Sequence, residues 1–313
     1  MEQLKNQFEN THIKSPTTID GKHTHAAILS DILHVFDSRR QRKPDVVFIC
    51  IDCEAYERDQ TKVTEIGVAV LDMRDLWDIP PSQLSKEGPG FIKSAHYRPV
   101  EFSRLVNKKF VHGCPKAFGF GTSTWVRATD VAPILRRIFE DPSRMSAAAH
   151  SKDIMSEPLR DVVVVGHGLG NDDKYLRSLG FSFRSTPNVI GETDTQRLVS
   201  TRTQVGLKKL LAALHIEAVN LHNAGNDAVY TMQALVKMAA LESNEPGRLS
   251  ELLRMVKGKP FERYDNAIVA PVVWGGTAVM GDERSVAQKK YLGPRKGKAL
   301  LQFGGKGPSY SQN

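Results

Sequence analysis

Residues 46–73 hold two apolar runs, VVFICID and KVTEIGVAVLDM, with the polar stretch ERDQT near their junction. Continuous apolar runs rich in Val and Ile read as buried strands. A connection this short joins only antiparallel neighbours, because a parallel pair needs a crossover of a dozen or more residues. A hairpin buried on both faces needs layers over both sides, and the rest of the chain offers them. DVVVVGHG reads as a further strand, so apolar that it takes a central parallel position. DDKYLRSLGF reads as the helix behind it, NVIGETDTQ as a strand and VGLKKLLAALHI as a helix. LHNAGNDAVYTMQALVKMAAL then places a turn before a long helix, with Ala228, Met232, Leu235 and Met238 near one face. This alternation predicts an α/β fold: a mixed central sheet flanked by helices.

Other segments are less regular. Residues 1–43 form an N-terminal arm with one amphipathic helix, HAAILSDILHVFDSRR. DIPPSQLSKEGPG is turn-rich and reads as a loop, FIKSAHYRPV as a strand, and VRATDVAPILRRIFED as a helix with Pro133 near its start. Residues 259–313 end in a Gly-rich, basic run and read as a mostly disordered extension. The expected domain is therefore 44–258, with flexible basic tails.

The chain carries 43 Lys+Arg against 35 Asp+Glu, a balance that suits a polyanionic partner without naming one. Three cysteines make no disulfide framework. No apolar run reaches the roughly 18–20 residues that span a bilayer, and the polar N-terminus lacks a secretory pattern. A cytoplasmic or nuclear protein with no membrane association is expected.

Two motifs overlap in VVFICIDCEAYE, and strand parity separates them. Side chains alternate faces, so Cys50 and Cys53 point oppositely whereas Asp52 and Glu54 point the same way. The cysteines cannot share an ion; the two carboxylates form a hard oxygen site suited to Mg²⁺ or Mn²⁺. Alternatively, Asp52 caps the strand and Glu54 opens a solvated turn. Two further places carry acids at element ends. GHGLGNDDKYL delivers His167, Asp172 and Asp173 to a strand-to-helix junction, where sites of α/β folds gather, although helix caps would explain the acids as well. HNAGND places His222 on a loop and Asp227 near the first turn of the long helix.

With these residues in view, the chain resembles the DEDDh 3′→5′ exonucleases of the ribonuclease H-like superfamily. The matching stretches are Asp52-Cys53-Glu54 followed by TEIGVAVLD, then GHGLGNDDKYL, then HNAGND, over residues 45–242. The resemblance implies that Asp52, Glu54, Asp172 and Asp227 hold two divalent ions, Mg²⁺ or Mn²⁺, and that His222 is the general base. It selects Asp172 over Asp173, because the family's second acid stands five residues after a His. It implies a single-stranded RNA or DNA substrate cut from the 3′ end to nucleoside 5′-monophosphates, and an insertion at about 72–130.

Cys53, Ala55, Tyr56 and His167 are the implied substrate contacts. Tyr56 is suited to stacking on a base, Cys53 also reads as a small apolar residue packed beneath the site, and His167, with Glu65 and Asp173, also reads as structural. His96 and His112 have no partners at metal spacing and receive no role. HNAGNDA, HYRPVE and FGFGTS further resemble a fungal branch that includes a quelling-associated exonuclease, which implies a protein partner such as an Argonaute. A binding module or scaffold on the same fold is the alternative to an enzyme.

Overall fold

The two apolar runs form the centre of a six-stranded sheet. The structure, a computed structural model, describes residues 45–145, 159–199, 204–245, 247–249 and 251–252. Strands β1 (Val46–Tyr56) and β2 (Asp59–Asp72) pair antiparallel. The remaining strands are β3 (Lys93–Pro99), β4 (Thr124–Val126), β5 (Asp161–Gly166) and β6 (Val189–Asp194). The sheet order is β4-β3-β2-β1-β5-β6. β2 and β3 are antiparallel, and the pairs β3/β4, β1/β5 and β5/β6 are parallel. An antiparallel hairpin leading into parallel β5 and β6 is the ribonuclease H-like arrangement.

Helices cover both faces. They are α1 (Pro81–Glu87), α2 (Ala128–Glu140), α3 (Leu169–Ser178), α4 (Thr195–Val199), α5 (Leu207–Ala213) and α6 (Ala224–Asn244). Alternation along β1 sorts its side chains between two cores. Phe48 and Cys50 pack with Ala228, Met232 and Leu235 of α6, whereas Val47, Ile49, Ile51 and Cys53 pack with Leu135 and Phe139 of α2 and Leu176 of α3. The two thiols therefore lie on opposite faces of the sheet, as parity requires. Burial pushes both thiols up, which makes them poor ligands as well as distant ones.

Three local expectations change. DIPPSQLSKEGPG is not a loop: Pro80 and Pro81 sit at the N-cap and first position of α1, where a missing N–H costs nothing, and Leu84 is buried in the core. The residues that read as turn signals instead bound a helix. The hairpin turn is tighter than ERDQT, with only Glu57 and Arg58 between the strands. Pro133 stands inside α2 rather than at its start. The N-terminal amphipathic helix and the basic C-terminal extension lie outside the described residues.

α6 lies on the sheet at backbone distance. A Cβ on Gly67 would stand 1.8 Å from the carbonyl oxygen of Ala224, and one on Gly225 would stand 2.8 Å from Cβ of His96. Only glycine at both positions lets the first turn of α6 settle onto β2 and β3.

Candidate metal centre

In the register of β1 and β2, Asp52 lies opposite Gly67 and Glu54 opposite Glu65. Directly opposite residues share a face, so Asp52 and Glu54 look toward the first turn of α6, which rests on Gly67. Immediately after Glu54 the register shifts by a bulge, which ends the regular ladder beside the pair.

Asp227 enters from that first turn. The turn is built by its own amides: Asn223 is the N-cap and accepts from the backbone N–H of Asn226 at 3.1 Å, and Asn226 Nδ2 donates to the carbonyl of Asn220 at 3.0 Å. Because Asn223 caps the helix, Asp227 is spared that duty. Its Oδ2 accepts the backbone N–H of His222 at 2.9 Å, and its Oδ1 is buried without a hydrogen-bond partner. His222 sits at φ +65°, a left-handed conformation that costs a residue with a Cβ about 1–2 kcal/mol. That backbone turns the ring toward Glu54, with Nδ1 3.9 Å from Oε1. One ligand atom each from Glu54, His222 and Asp227 lie within 4.8 Å of one another.

Asp172 comes from α3, across the edge of β1. β5 pairs with β1 only as far as Cys50, and beyond it the backbone N–H of Cys53 donates to Asp172 Oδ1 at 2.9 Å. Asp172 is not a helix cap: Asp194, at the end of β6, accepts the N–H groups of Gly168 and Leu169 at 3.0 Å each. Its neighbour Asp173 faces away, paired with Arg184 at 2.7 Å and Arg177 at 3.0 Å. Acids from β1, α3 and α6 thus lie close enough to act on one another.

The electrostatics express this crowding. Burial, then Asp172, Asp227, Glu54 and Glu65, push the Asp52 carboxyl well above the usual carboxylate range. Burial, then Glu65, Asp227 and Asp172, raise Glu54 to about 8. Burial is also the largest cause at Asp172 and Asp227, each raised to about 7. Burial, then Lys208, holds the His222 ring below the ordinary imidazole range. The residues fit divalent cations: Asp227 offers a buried oxygen with no partner, the donors are hard carboxylates, and their mutual repulsion is relieved by positive charge.

The other expected contacts fare differently. Cys53 is buried and offers the site its backbone rather than its thiol, Ala55 is buried, and Tyr56 is partly exposed at the end of β1. His167 is not brought to the carboxylates. The Val205 carbonyl can only accept, so Nε2 donates to it at 2.8 Å, and Nδ1 lies 2.9 Å from the Thr195 hydroxyl.

His96 proves to have a structural place. It is fully buried, with Nε2 3.0 Å from Glu65 Oε2 and Nδ1 2.9 Å from Ser123 Oγ. Glu65 in turn accepts the N–H of Ala224 at 3.3 Å, so the pair holds the start of α6. Removing one partner leaves a buried polar group unpaired, at about 1–3 kcal/mol. Sequence spacing missed this because the three residues come from β2, β3 and an irregular segment. The signal was sheet register, which sets His96 opposite Gly67.

Residues 47–238 match the model of the DEDDh family described as the DNA polymerase III subunit epsilon-like, C-terminal domain. The chain belongs to this DEDDh nuclease family. An uncharacterized nucleolar protein of Schizosaccharomyces pombe is 31% identical over 206 residues, covering 62% of this chain and 70% of that protein. Good for full DBP5 activity protein 2 of Saccharomyces cerevisiae is 23% identical over 232 residues, covering 67% of this chain. The chain spans only 38% of that relative, and 41% of an uncharacterized Saccharomyces cerevisiae protein that is 27% identical to it. Among solved structures, the Saccharomyces cerevisiae Pan2 pseudoubiquitin hydrolase–RNA exonuclease module in complex with AAGGAA RNA is similar at TM-score 0.35 and 17% identity, over 69% of this chain and 32% of that one. No helix among the described residues is long and apolar enough to cross a membrane.

Proposed function

We propose that this DEDDh protein is a metal-dependent 3′→5′ exonuclease that shortens single-stranded RNA or DNA and releases nucleoside 5′-monophosphates. The observation that carries the reading is the convergence of Glu54, His222 and Asp227 within 4.8 Å, with Asp172 bonded to the same strand beside them. Asp52, Glu54, Asp172 and Asp227 would hold two ions, Mg²⁺ or Mn²⁺. When bound, such ions polarise the phosphoryl group and lower the pKa of water.

The protein's own groups have separable tasks. His222 takes the proton from the attacking water: its ring is half exposed, burial and then Lys208 disfavour its charged form, and its backbone is pinned by Asp227. Glu54 Oε1 lies 3.9 Å from Nδ1 of that ring, which places the base beside the carboxylates. The Cys53 N–H fixes one oxygen of Asp172 and leaves the other to the site. Glu65 and His96 hold the α6 turn that carries Asp227.

Polarity is tested with oligonucleotides labelled at either end. With Mg²⁺ or Mn²⁺, a 3′ label leaves as a mononucleotide in the first cycle, and a 5′ label stays on a descending ladder. Internal fragments, or early loss of the 5′ label, would overturn the assigned direction.

A further inference from the structure

The segment from Ser103 to Ser123 carries Arg104, Lys108, Lys109 and Lys116, all exposed, and no carboxylate. It contains neither helix nor strand, yet it is fastened at both ends. At one end it grips the tip of β1. Asn107 Nδ2 donates to the carbonyl of Ala55 at 2.7 Å, and Asn107 Oδ1 accepts the N–H of Glu57 at 2.8 Å. The Glu57 carboxylate then collects the N–H groups of Lys108, Lys109 and Phe110 at 3.0–3.3 Å. At the other end it joins the turn of the candidate centre. The N–H of Cys114 donates to the carbonyl of His222 at 3.2 Å, and Asn223 Nδ2 donates to the Cys114 carbonyl at 3.1 Å. Asn226 Nδ2 donates to the carbonyl of Ala117 at 2.9 Å and its Oδ1 accepts the N–H of Gly119 at 2.8 Å. The segment therefore runs from the strand that carries Glu54 to the turn that carries His222 and Asp227.

Between the two anchorages stands Phe110. Its side chain is 73% exposed, the most exposed of the large hydrophobics among the described residues, and Lys109 Nζ lies 5.0 Å from the ring centroid. A large aromatic left in water on a loop whose backbone is held by hydrogen bonds is a prepared surface, because the backbone that carries it needs no further ordering on binding. An aromatic face beside lysines, with the one adjacent acid, Glu57, engaged by three backbone N–H groups, matches the chemistry of an unpaired strand: bases stack on rings and phosphates meet ammonium groups. A duplex keeps all but its terminal base faces inside its own stack and offers none to Phe110 along its length.

We propose that the 104–116 segment is the track for a single-stranded nucleic acid, with a base stacked on Phe110 and phosphates held by Lys108 and Lys109. The proposal rests on the nuclease reading for the direction in which the strand runs. Its test is a binding measurement and reads independently of turnover.

The test uses the full chain carrying His222→Asn, so that the strand is not consumed, with fluorescein-labelled single-stranded 15-mers of DNA and RNA in Mn²⁺. Adding Phe110→Ala should weaken binding by about 5- to 100-fold, and Phe110→Trp should restore it. Adding Lys108→Ala with Lys109→Ala should lower the slope of log affinity against log salt by about 1.4. A blunt duplex should bind at least about tenfold more weakly and be indifferent to Phe110→Ala. The track is overturned if Phe110→Ala binds strands as tightly as its parent while melting at the same temperature. It is equally overturned if the lysine pair leaves the salt slope unchanged, as a surface for a protein partner would. Failure of the nuclease reading shows separately, as absence of metal-dependent shortening by the unsubstituted chain.

Discussion

His222→Asn should fold as the parent does and lose about 100- to 10,000-fold of its exonuclease turnover, the share that a positioned general base supplies. Asparagine is the sharper substitution than alanine because position 222 stands at φ +65°, where Asn is tolerated better than other residues with a Cβ. The bond from the residue 222 N–H to Asp227 is a backbone bond and survives. The ring itself is half exposed, so little packing is lost. A melting temperature at or above that of the parent, with turnover measured in single-turnover format, separates a missing base from a damaged fold. Parental turnover in this variant would remove His222 from the chemistry.

The second large effect comes from a residue that touches no substrate. Gly67→Ala should destabilise the protein by about 3 kcal/mol or more in urea unfolding, at the upper end of overpacking costs. The new Cβ meets the Ala224 backbone at 1.8 Å, so α6 must retreat by more than an ångström. Asp227 and His222 ride on that turn, and a misplacement of about 1 Å costs on the order of 100-fold in rate. Gly191→Ala is the matched control. Nothing lies within 4 Å of its Cβ position, and its stability and turnover should stay near those of the parent. Equal effects at the two glycines would refute the close approach of α6 as the cause.

The contrast between these two residues indicates what a sequence carries and what it withholds. His222 is legible because its spacing to Asp227 is local: both lie on one turn, so five positions in the chain fix their relation. Strand parity is local in the same sense, and it placed Cys50 and Cys53 on opposite faces and Asp52 with Glu54 on one. Gly67 is silent because its constraint is a backbone more than 150 residues away in the chain. The Glu65–His96–Ser123 chain of hydrogen bonds was hidden for the same reason, and His96 looked idle without its sheet register. α1 was misread through composition: prolines at a helix start and glycines after its end are the same residues that make a turn, and only the burial of Leu84 distinguishes the cases. The capping alternative for the acids of α3 could not be settled locally either, since the residue that accepts the first N–H groups there is Asp194, from the next strand.

In the proposed mechanism the carboxylates of β1, α3 and α6 form one cation site in which hydrolysis occurs. The most direct measurement is release of nucleoside 5′-monophosphate from a single-stranded oligonucleotide as Mn²⁺ is titrated into chelator-treated protein, for the parent and for Asp172→Asn. Asparagine keeps an oxygen for the Cys53 N–H but removes the charge that a cation needs. The parent should rise from background to saturable turnover, and Asp172→Asn should stay near background at every concentration. Parental rates in Asp172→Asn, or turnover by the parent that persists after exhaustive chelation, would contradict the account.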